Sequence, residues 1–345
     1  MAGNKGMTKS DNATGGFWKK IKGMRELNLI LIIVLAMIIM GLTNEYFFTW
    51  TNLRVLLSSM AIDGIVVIGM TLILIVGGID LSVGSVLVFS MTVCALLFTG
   101  GMNPWLAALI AIACSAGIGW IMGMLVTKLK LSHFIVTLAF MGMIRGLVLI
   151  LSTGTPLSVV SELAAAPIFQ GLGQGKLFGT GSAFPTQLPI QVIIFIVIAI
   201  IADYIVRHSS AMRVVFYTGS NPKAAEYSGI NTDRVVRTMG IVCSTLAGLA
   251  GIIYLSKFSG VPMSAGSGLE MTAISSAVIG GASLTGGRGT VFGAILGLAI
   301  MQLSTNALSL YSVSTFWYDF IKFSILLLAV VLDQVQRVIS LRKTT

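Results

Sequence analysis

The sequence is short of charge, short of histidine and cysteine, and empty of the motifs that would let it carry out chemistry alone. Only 10% of its residues are Asp, Glu, Lys or Arg, while 56% are hydrophobic. A soluble domain usually carries about a quarter charged residues, so a soluble fold is excluded. There are two histidines, His133 and His208, both expected in cytoplasmic loops, and no H-E-x-x-H pair to hold a catalytic zinc. The three cysteines, Cys94, Cys114 and Cys243, lie inside apolar segments without metal-ligand spacing and read as small buried hydrophobes. The phosphate cradle G-x-x-x-x-G-K-[ST] is missing too. The nearest run, Gly171-Leu172-Gly173-Gln174-Gly175-Lys176-Leu177, has the wrong spacing and no hydroxyl after its lysine. No catalytic residue, metal or cofactor is therefore expected, and any energy from ATP has to come from a partner.

What is present is a series of long apolar runs. Ten spans fit the pattern of helices crossing a bilayer, over residues 27–43, 56–76, 83–99, 105–127, 134–152, 188–206, 236–256, 271–286, 291–309 and 316–333. The fold expected is all-α and polytopic, with about ten transmembrane helices and both termini cytoplasmic. Residues 1–23 are polar and basic, and no small-residue cleavage pattern follows the first apolar stretch, so that stretch reads as a permanent span. The mixed basic and aromatic segment 16–27 suits either a helix lying in the headgroup layer or a positive tail that only sets topology.

Net charge is +10, and its location decides its meaning. With ten crossings, one side collects Lys5, Lys9, Lys19, Lys20, Lys22, Arg25, Lys128, Lys130, Arg207, Arg213, Lys223, Arg234, Arg237, Arg288, Arg337, Arg342 and Lys343. The other side holds only Arg54, Lys176 and Lys257. Cytoplasmic loops retain positive charge, so the crowded side is cytoplasmic, and the basic balance reports membrane topology with no nucleic acid partner. The organisation expected is a basic segment 1–26, a transmembrane domain 27–333 and a cytoplasmic tail 334–345. An irregular outer loop, 153–187, is broken by Gly and Pro. An inner loop, 207–235, carries a short surface helix: Asn221 caps it, Pro222 takes the first helical position, Ala224, Ala225 and Glu226 are good formers, and Gly229 stops it.

Two glycine junctions align without a gap. Val76-Gly77-Gly78-Ile79-Asp80-Leu81-Ser82-Val83-Gly84 matches Ile279-Gly280-Gly281-Ala282-Ser283-Leu284-Thr285-Gly286-Gly287. Either each is an interrupted helix lining a translocation path, or each is a tight hairpin with close helix packing. The candidates at these breaks are Gly77, Gly78, Asp80, Ser82, Gly280, Gly281, Ser283 and Thr285. Charges inside spans are the other candidates. Asp319 and Lys322 stand three residues apart and are expected to pair locally. Asp63 and Arg145, each toward the outer end of its span, could pair across helices, contact a polar solute, or reach the interface.

These blocks together resemble the permease subunits of bacterial ABC importers of the ribose, xylose, arabinose and galactose type. The resemblance rests on Gly69-Met70-Thr71 with Gly77-Gly78-Ile79-Asp80-Leu81-Ser82-Val83-Gly84-Ser85, on Gly219-x-Asn221-Pro222-x-Ala224-Ala225 with Ser228-Gly229-Ile230-Asn231, and on Ile279-Gly280-Gly281-x-Ser283-Leu284-x-Gly286-Gly287-Arg288-Gly289-Thr290. It implies a permease dimer, of this chain with itself or with a sister, in the bacterial inner membrane. It also implies an ABC ATP-binding protein on the cytoplasmic face and an extracytoplasmic solute-binding protein docking on the outer face, here expected on the loop 153–187. By resemblance, the helix at Pro222 is the element that couples to the ATPase, and replacing Glu226 or Gly229 is expected to uncouple hydrolysis from uptake. The other reading of the sequence is a secondary transporter or channel working without an ATPase. Two positions depart from the family pattern. The family's Glu-Leu-Asp-Ala-Ile reads Glu270-Met271-Thr272-Ala273-Ile274 here, and Asp63 stands where a small or neutral residue is expected.

Overall fold

The computed structural model describes residues 25–177 and 188–342. Expectations that fall on residues 1–24, 178–187 and 343–345, among them the choice between interfacial helix and basic tail, lie outside the described residues.

The described chain is a bundle of helices with four two-residue strands. In order these are α1 (Arg25–Thr43), α2 (Trp50–Val76), α3 (Val83–Thr99), α4 (Pro104–Lys128), α5 (His133–Leu151), β1 (Leu157–Ser158), α6 (Val160–Ala164), α7 (Pro167–Gln174), β2 (Lys176–Leu177) and β3 (Leu188–Pro189). There follow α8 (Ile190–His208), α9 (Ser210–Ser220), α10 (Pro222–Tyr227), α11 (Thr232–Phe258), β4 (Gly260–Val261), α12 (Leu269–Ile279), α13 (Val291–Leu310) and α14 (Phe316–Arg342). Polar side chains start the long helices where the chain leaves an apolar run. Thr49, Asn103, Asn231 and Thr290 each accept a hydrogen bond from the first turn of the helix that follows, and such a cap contributes about 1 kcal/mol.

Seven helices among the described residues, α1, α2, α4, α5, α8, α11 and α13, are long and apolar enough to cross a membrane. Two apolar helices are shorter, α3 with 17 residues and α12 with 11. The eighth expected span, 271–286, is thereby corrected: its helix ends at Ile279, and Gly280–Gly286 form a turn. At 1.5 Å per residue α12 is about 16 Å long, roughly half the hydrocarbon thickness. The stop falls at Gly280-Gly281, where two glycines end the helix and Gly281 takes a positive φ.

α2 and α11 lie at the centre. In α2, 83% of the most apolar window is buried, against 11% in α1, which turns Leu31, Leu35, Ile39 and Leu42 outward. α11 packs on α2, α3 and α4, and the α4 seam is made of small residues four apart. Ser115, Gly119 and Gly123 face Gly248, Ser244, Gly240 and Arg237 of the antiparallel partner, bringing backbones together as small-residue stripes do in lipid. Of the cysteines, Cys94 and Cys243 are buried, while Cys114 is exposed on the bundle surface, since α4 shows only its Ser115 stripe to α11.

The segment 153–177 is more ordered than its glycines and prolines suggest. β1 pairs antiparallel with β4, Leu157 opposite Val261, and β2 pairs with β3. The buried Ser256 near the end of α11 fastens it: its hydroxyl meets the carbonyls of Phe169 and Gln170 at 3.0 and 2.9 Å and accepts from the Gly173 amide at 3.0 Å.

Candidate functional site

Three features gather the residues that the sequence singles out. They are a loop joint around the glycine junctions, a meeting of two short helices inside the bundle, and a polar cavity.

The joint forms at the end of α2. The helix stops at Gly77, whose left-handed φ of 91° only glycine adopts without strain. The carbonyl of Ile75, just before it, accepts a hydrogen bond from the Gly287 amide at 2.8 Å. Gly219, two residues ahead of the α10 cap, is buried against the same carbonyl, and a methyl group there would stand 2.7 Å from the Gly287 nitrogen. The two junctions that align in sequence therefore touch one another, and both touch the segment leading into α10. Both are turns between separate helices. In the second, Ser283 accepts from the Thr285 amide, its own amide donates to the Arg288 carbonyl, and Gly280 packs backbone to backbone against Gly293. Gly281 carries a φ of 107° at the helix end.

α10 is built as the sequence predicts. Asn221 Oδ1 accepts from the Ala224 amide at 3.0 Å, Pro222 occupies the first turn, and Gly229 turns the chain with a φ of 83°. Ala225 is buried, Glu226 accepts from the Thr232 hydroxyl at 2.7 Å, and Tyr227 is 91% exposed at the tip. The Glu226–Thr232 bond ties α10 to the start of α11. Between α9 and α11 an apolar cavity of about 480 Å³ opens beside Gly229 and Arg234.

The first junction then enters the bundle. Asp80, 1% exposed, accepts from the amide and hydroxyl of Ser82 at 2.8 and 2.6 Å, filling donors at the start of α3. Gly78 packs on His133, whose ring Nδ1 lies 3.0 Å from the Ile79 carbonyl. α3 begins partway along its neighbours, for Ser85 donates to the Met141 carbonyl, midway along α5. From the opposite direction, residues 262–268 turn inward after β4 and start α12, and Gly266 meets Gly84 backbone to backbone. Two helix N-termini thus converge inside the protein, with the Glu270 carboxylate beside Gly84, where the positive end of a helix favours it. Arg145 Nη1 donates to the Ala265 carbonyl at 2.8 Å and fixes this re-entrant loop. Irregular backbone at such depth is tolerated because protein encloses it.

Asp63 and Arg145 are not brought together. Asp63 sits at the midpoint of α2, deeper than the sequence suggests because the helix begins six residues before the expected span. It accepts from the Gln302 amide and lies within electrostatic reach of Lys322 and Lys257. The expected Asp319–Lys322 pair is not formed among the described residues: Asp319 is exposed, and Lys322 instead lines a cavity of about 210 Å³ with Ser59, Asp63, Tyr254, Lys257, Thr272, Gln302 and Thr305. Asp63 and Thr272 line this same cavity. Through Ser59, Lys257 and Phe258 it adjoins a larger one of about 590 Å³ bounded by Arg54, Ser58, Gln174, Lys176 and Gln191. Sequence reasoning missed Gln302, although an amide inside an apolar span was the available signal. It also counted Lys257 as a loop residue, whereas the residue closes the last turn of α11.

The family described as "Branched-chain amino acid transport system / permease component" matches residues 52–330. The chain is similar to the ribose import permease protein RbsC of Escherichia coli (strain K12), with 34% identity over 310 residues, 90% of this chain and 94% of that one. It is similar to the L-arabinose ABC transporter permease protein AraH of Azospirillum brasilense, 31% identical over 94% of this chain and 91% of that one. The D-allose transport system permease protein AlsC of Escherichia coli (strain K12) is 30% identical, with 92% of each chain covered. No solved structure matches the chain.

Proposed function

From the premise that this chain belongs to the ABC importer permease family, we propose that it forms the membrane pathway for a monosaccharide or sugar-like solute, driven by ATP hydrolysis in a partner. It is a multi-pass inner-membrane protein and a transport permease. The finer topology of our reading has about ten passages with both termini cytoplasmic, and the one-sided distribution of Lys and Arg supports it. The domain limits are a basic segment 1–26, a permease domain 27–333 and a tail 334–345. The partners are an ABC ATP-binding protein, an extracytoplasmic solute-binding protein that docks near residues 153–187, and a second permease chain.

The observation that carries the mechanism is the joint at Ile75, Gly219 and Gly287. An ATPase pushing on α10 moves a short rigid helix held by its Asn221 cap and by Glu226. That helix continues through Gly219 into the ends of α2 and of the 280–290 turn, with backbone in contact with backbone. Such contacts have no side chain to deform, so displacement of α10 is passed to the α2 and α13 ends. In this reading Gly77, Gly78, Asp80, Ser82, Gly280, Gly281, Ser283 and Thr285 transmit motion, and Asp63 and Arg145 stand near the path. The test is uptake of a labelled monosaccharide panel by vesicles holding the chain with its ATPase and binding protein. Accumulation that needs both partners is expected. Transport by the purified chain alone, driven by an ion gradient, would refute the reading.

A further inference from the structure

The two adjoining cavities bear on the solute, in an inference that rests on the import reading. We propose that the solute carries an anionic group beside its hydroxyls, as a sugar acid or a sugar phosphate does, and that Lys257 and Lys322 hold that group.

The first observation is where the cations stand. Arg54, Lys176 and Lys257 are the only three basic residues that the charge count assigns to the outer side, and all three line the larger cavity. They come from the N-terminal part of α2, from β2 and from the last turn of α11, so no single element accounts for their meeting. Lys322 of α14 extends the cationic lining into the smaller cavity. Among the described residues Asp63 is the carboxylate lining these spaces, with the Gln302 amide as its hydrogen-bond partner, and Glu270 lies within electrostatic reach of Lys322. Neither cavity lysine forms an ion pair among the described residues, although Lys257 Nζ lies 5.2 Å from the centre of the Phe258 ring. Lys176, Lys257 and Lys322 outnumber these two carboxylates, and ammonium groups at a low-dielectric lining are costly unless something neutralises them. A neutral sugar leaves that imbalance as it is, whereas an anionic one removes it.

A second observation points to a hydroxyl-bearing ligand. Gln191 is 2% exposed and lines the larger cavity, and its Oε1 has no hydrogen-bond partner among the described residues. A buried amide oxygen accepts from a hydroxyl or amine and is expensive to leave unmet. Ser58 and Ser59 stand in the same cavity, with Thr272 and Thr305 below. Cations at the mouth of a low-dielectric passage also raise the local concentration of an anionic solute.

The experiment uses vesicles holding the permease with its ATPase and binding protein, offered matched pairs: D-galactose and D-galacturonate, D-glucose and D-gluconate, D-ribose and D-ribose 5-phosphate. The expected result is that the anionic member of at least one pair accumulates and its neutral partner does not, the pair identifying carboxylate or phosphate as the group. Lys322→Gln and Lys257→Gln should each lower that uptake at least tenfold, while Lys322→Arg and Lys257→Arg retain most of it, which separates loss of charge from loss of folding. Accumulation of no anionic member, or unchanged anion uptake in both glutamine variants, overturns the inference. The import reading is scored separately by stimulation of ATP hydrolysis on adding the binding protein, so either idea can fail alone.

Discussion

Replacing Gly219 with alanine should loosen the link between α10 and the rest of the bundle. The added methyl would sit within contact of the Ile75 carbonyl and 2.7 Å from the Gly287 nitrogen, and both neighbours are backbone that cannot rotate away. Relief requires separating α9 from the α2 end and stretching the 2.8 Å bond between Gly287 and Ile75. Overpacking of this kind costs ~1–3 kcal/mol, and losing one backbone hydrogen bond adds ~1 kcal/mol. The sum, about 2–4 kcal/mol, is a large part of the stability of an ordinary domain. Two assays on the reconstituted complex read the outcome: thermal unfolding, and solute imported per ATP hydrolysed. We expect a lower Tm together with continued, binding-protein-stimulated hydrolysis that moves at least tenfold less solute per ATP. Gly117→Ala is the control, because nothing lies within 4 Å of a methyl placed there. If Gly219→Ala keeps both the wild-type Tm and the wild-type ratio, the joint is not closed. If hydrolysis and uptake fall in proportion, Gly219 matters to stability and transmits nothing.

Other substitutions test the packing that holds these parts. Gly119→Ala places a methyl 2.7 Å from the Gly240 carbonyl and the Ser244 hydroxyl, and should cost ~1–3 kcal/mol, whereas Gly117→Ala two residues away should be neutral or stabilising by up to ~1 kcal/mol; unfolding in detergent micelles measures both. Ser256→Ala strips the acceptor of the Gly173 amide in a buried place, at ~1–3 kcal/mol, and limited proteolysis should then cut within residues 160–174 sooner than in the parent. Asp80→Ala leaves the Ser82 amide and hydroxyl without their acceptor and should lower Tm clearly, while Asp80→Asn keeps an acceptor oxygen and should lower it less; equal losses would assign the effect to charge instead of hydrogen bonding.

Much of this arrangement can be read from local pattern. Apolar runs locate the helices because a helix is how backbone avoids unmet polar groups in lipid. α10 is legible residue by residue, since its signals, an Asn cap, a Pro and a Gly, act within one turn. α2 begins earlier than hydropathy shows because residues 50–55 include Thr51, Asn52 and Arg54, and the cap at Thr49 decides the start. The glycine junctions are visible as a matched pair, but their mutual contact through Gly219 is not. Contacts between distant segments leave no periodic trace in a single sequence. For the same reason Lys322 was assigned to its nearest carboxylate along the helix, while the fold turned it toward Asp63. The Gly84–Gly266 approach was equally hidden, since it depends on two chain segments entering the bundle from opposite directions.

α2 offers a last consequence. From Ile65 to Val76 it is apolar on every face but for Thr71, yet in the finished protein each of these residues is buried against other helices. A helix destined for such surroundings could carry more polar groups, as globular cores do. The apolarity of this stretch makes sense at an earlier time, when the newly made segment has to leave the insertion machinery and rest in lipid before its later neighbours have been synthesised. Polar substitutions in Ile65–Val76 should therefore act on biogenesis as well as on packing, lowering the amount of protein that reaches the membrane beyond what their effect on stability alone would give. The hydrophobicity of this helix is a record of its history.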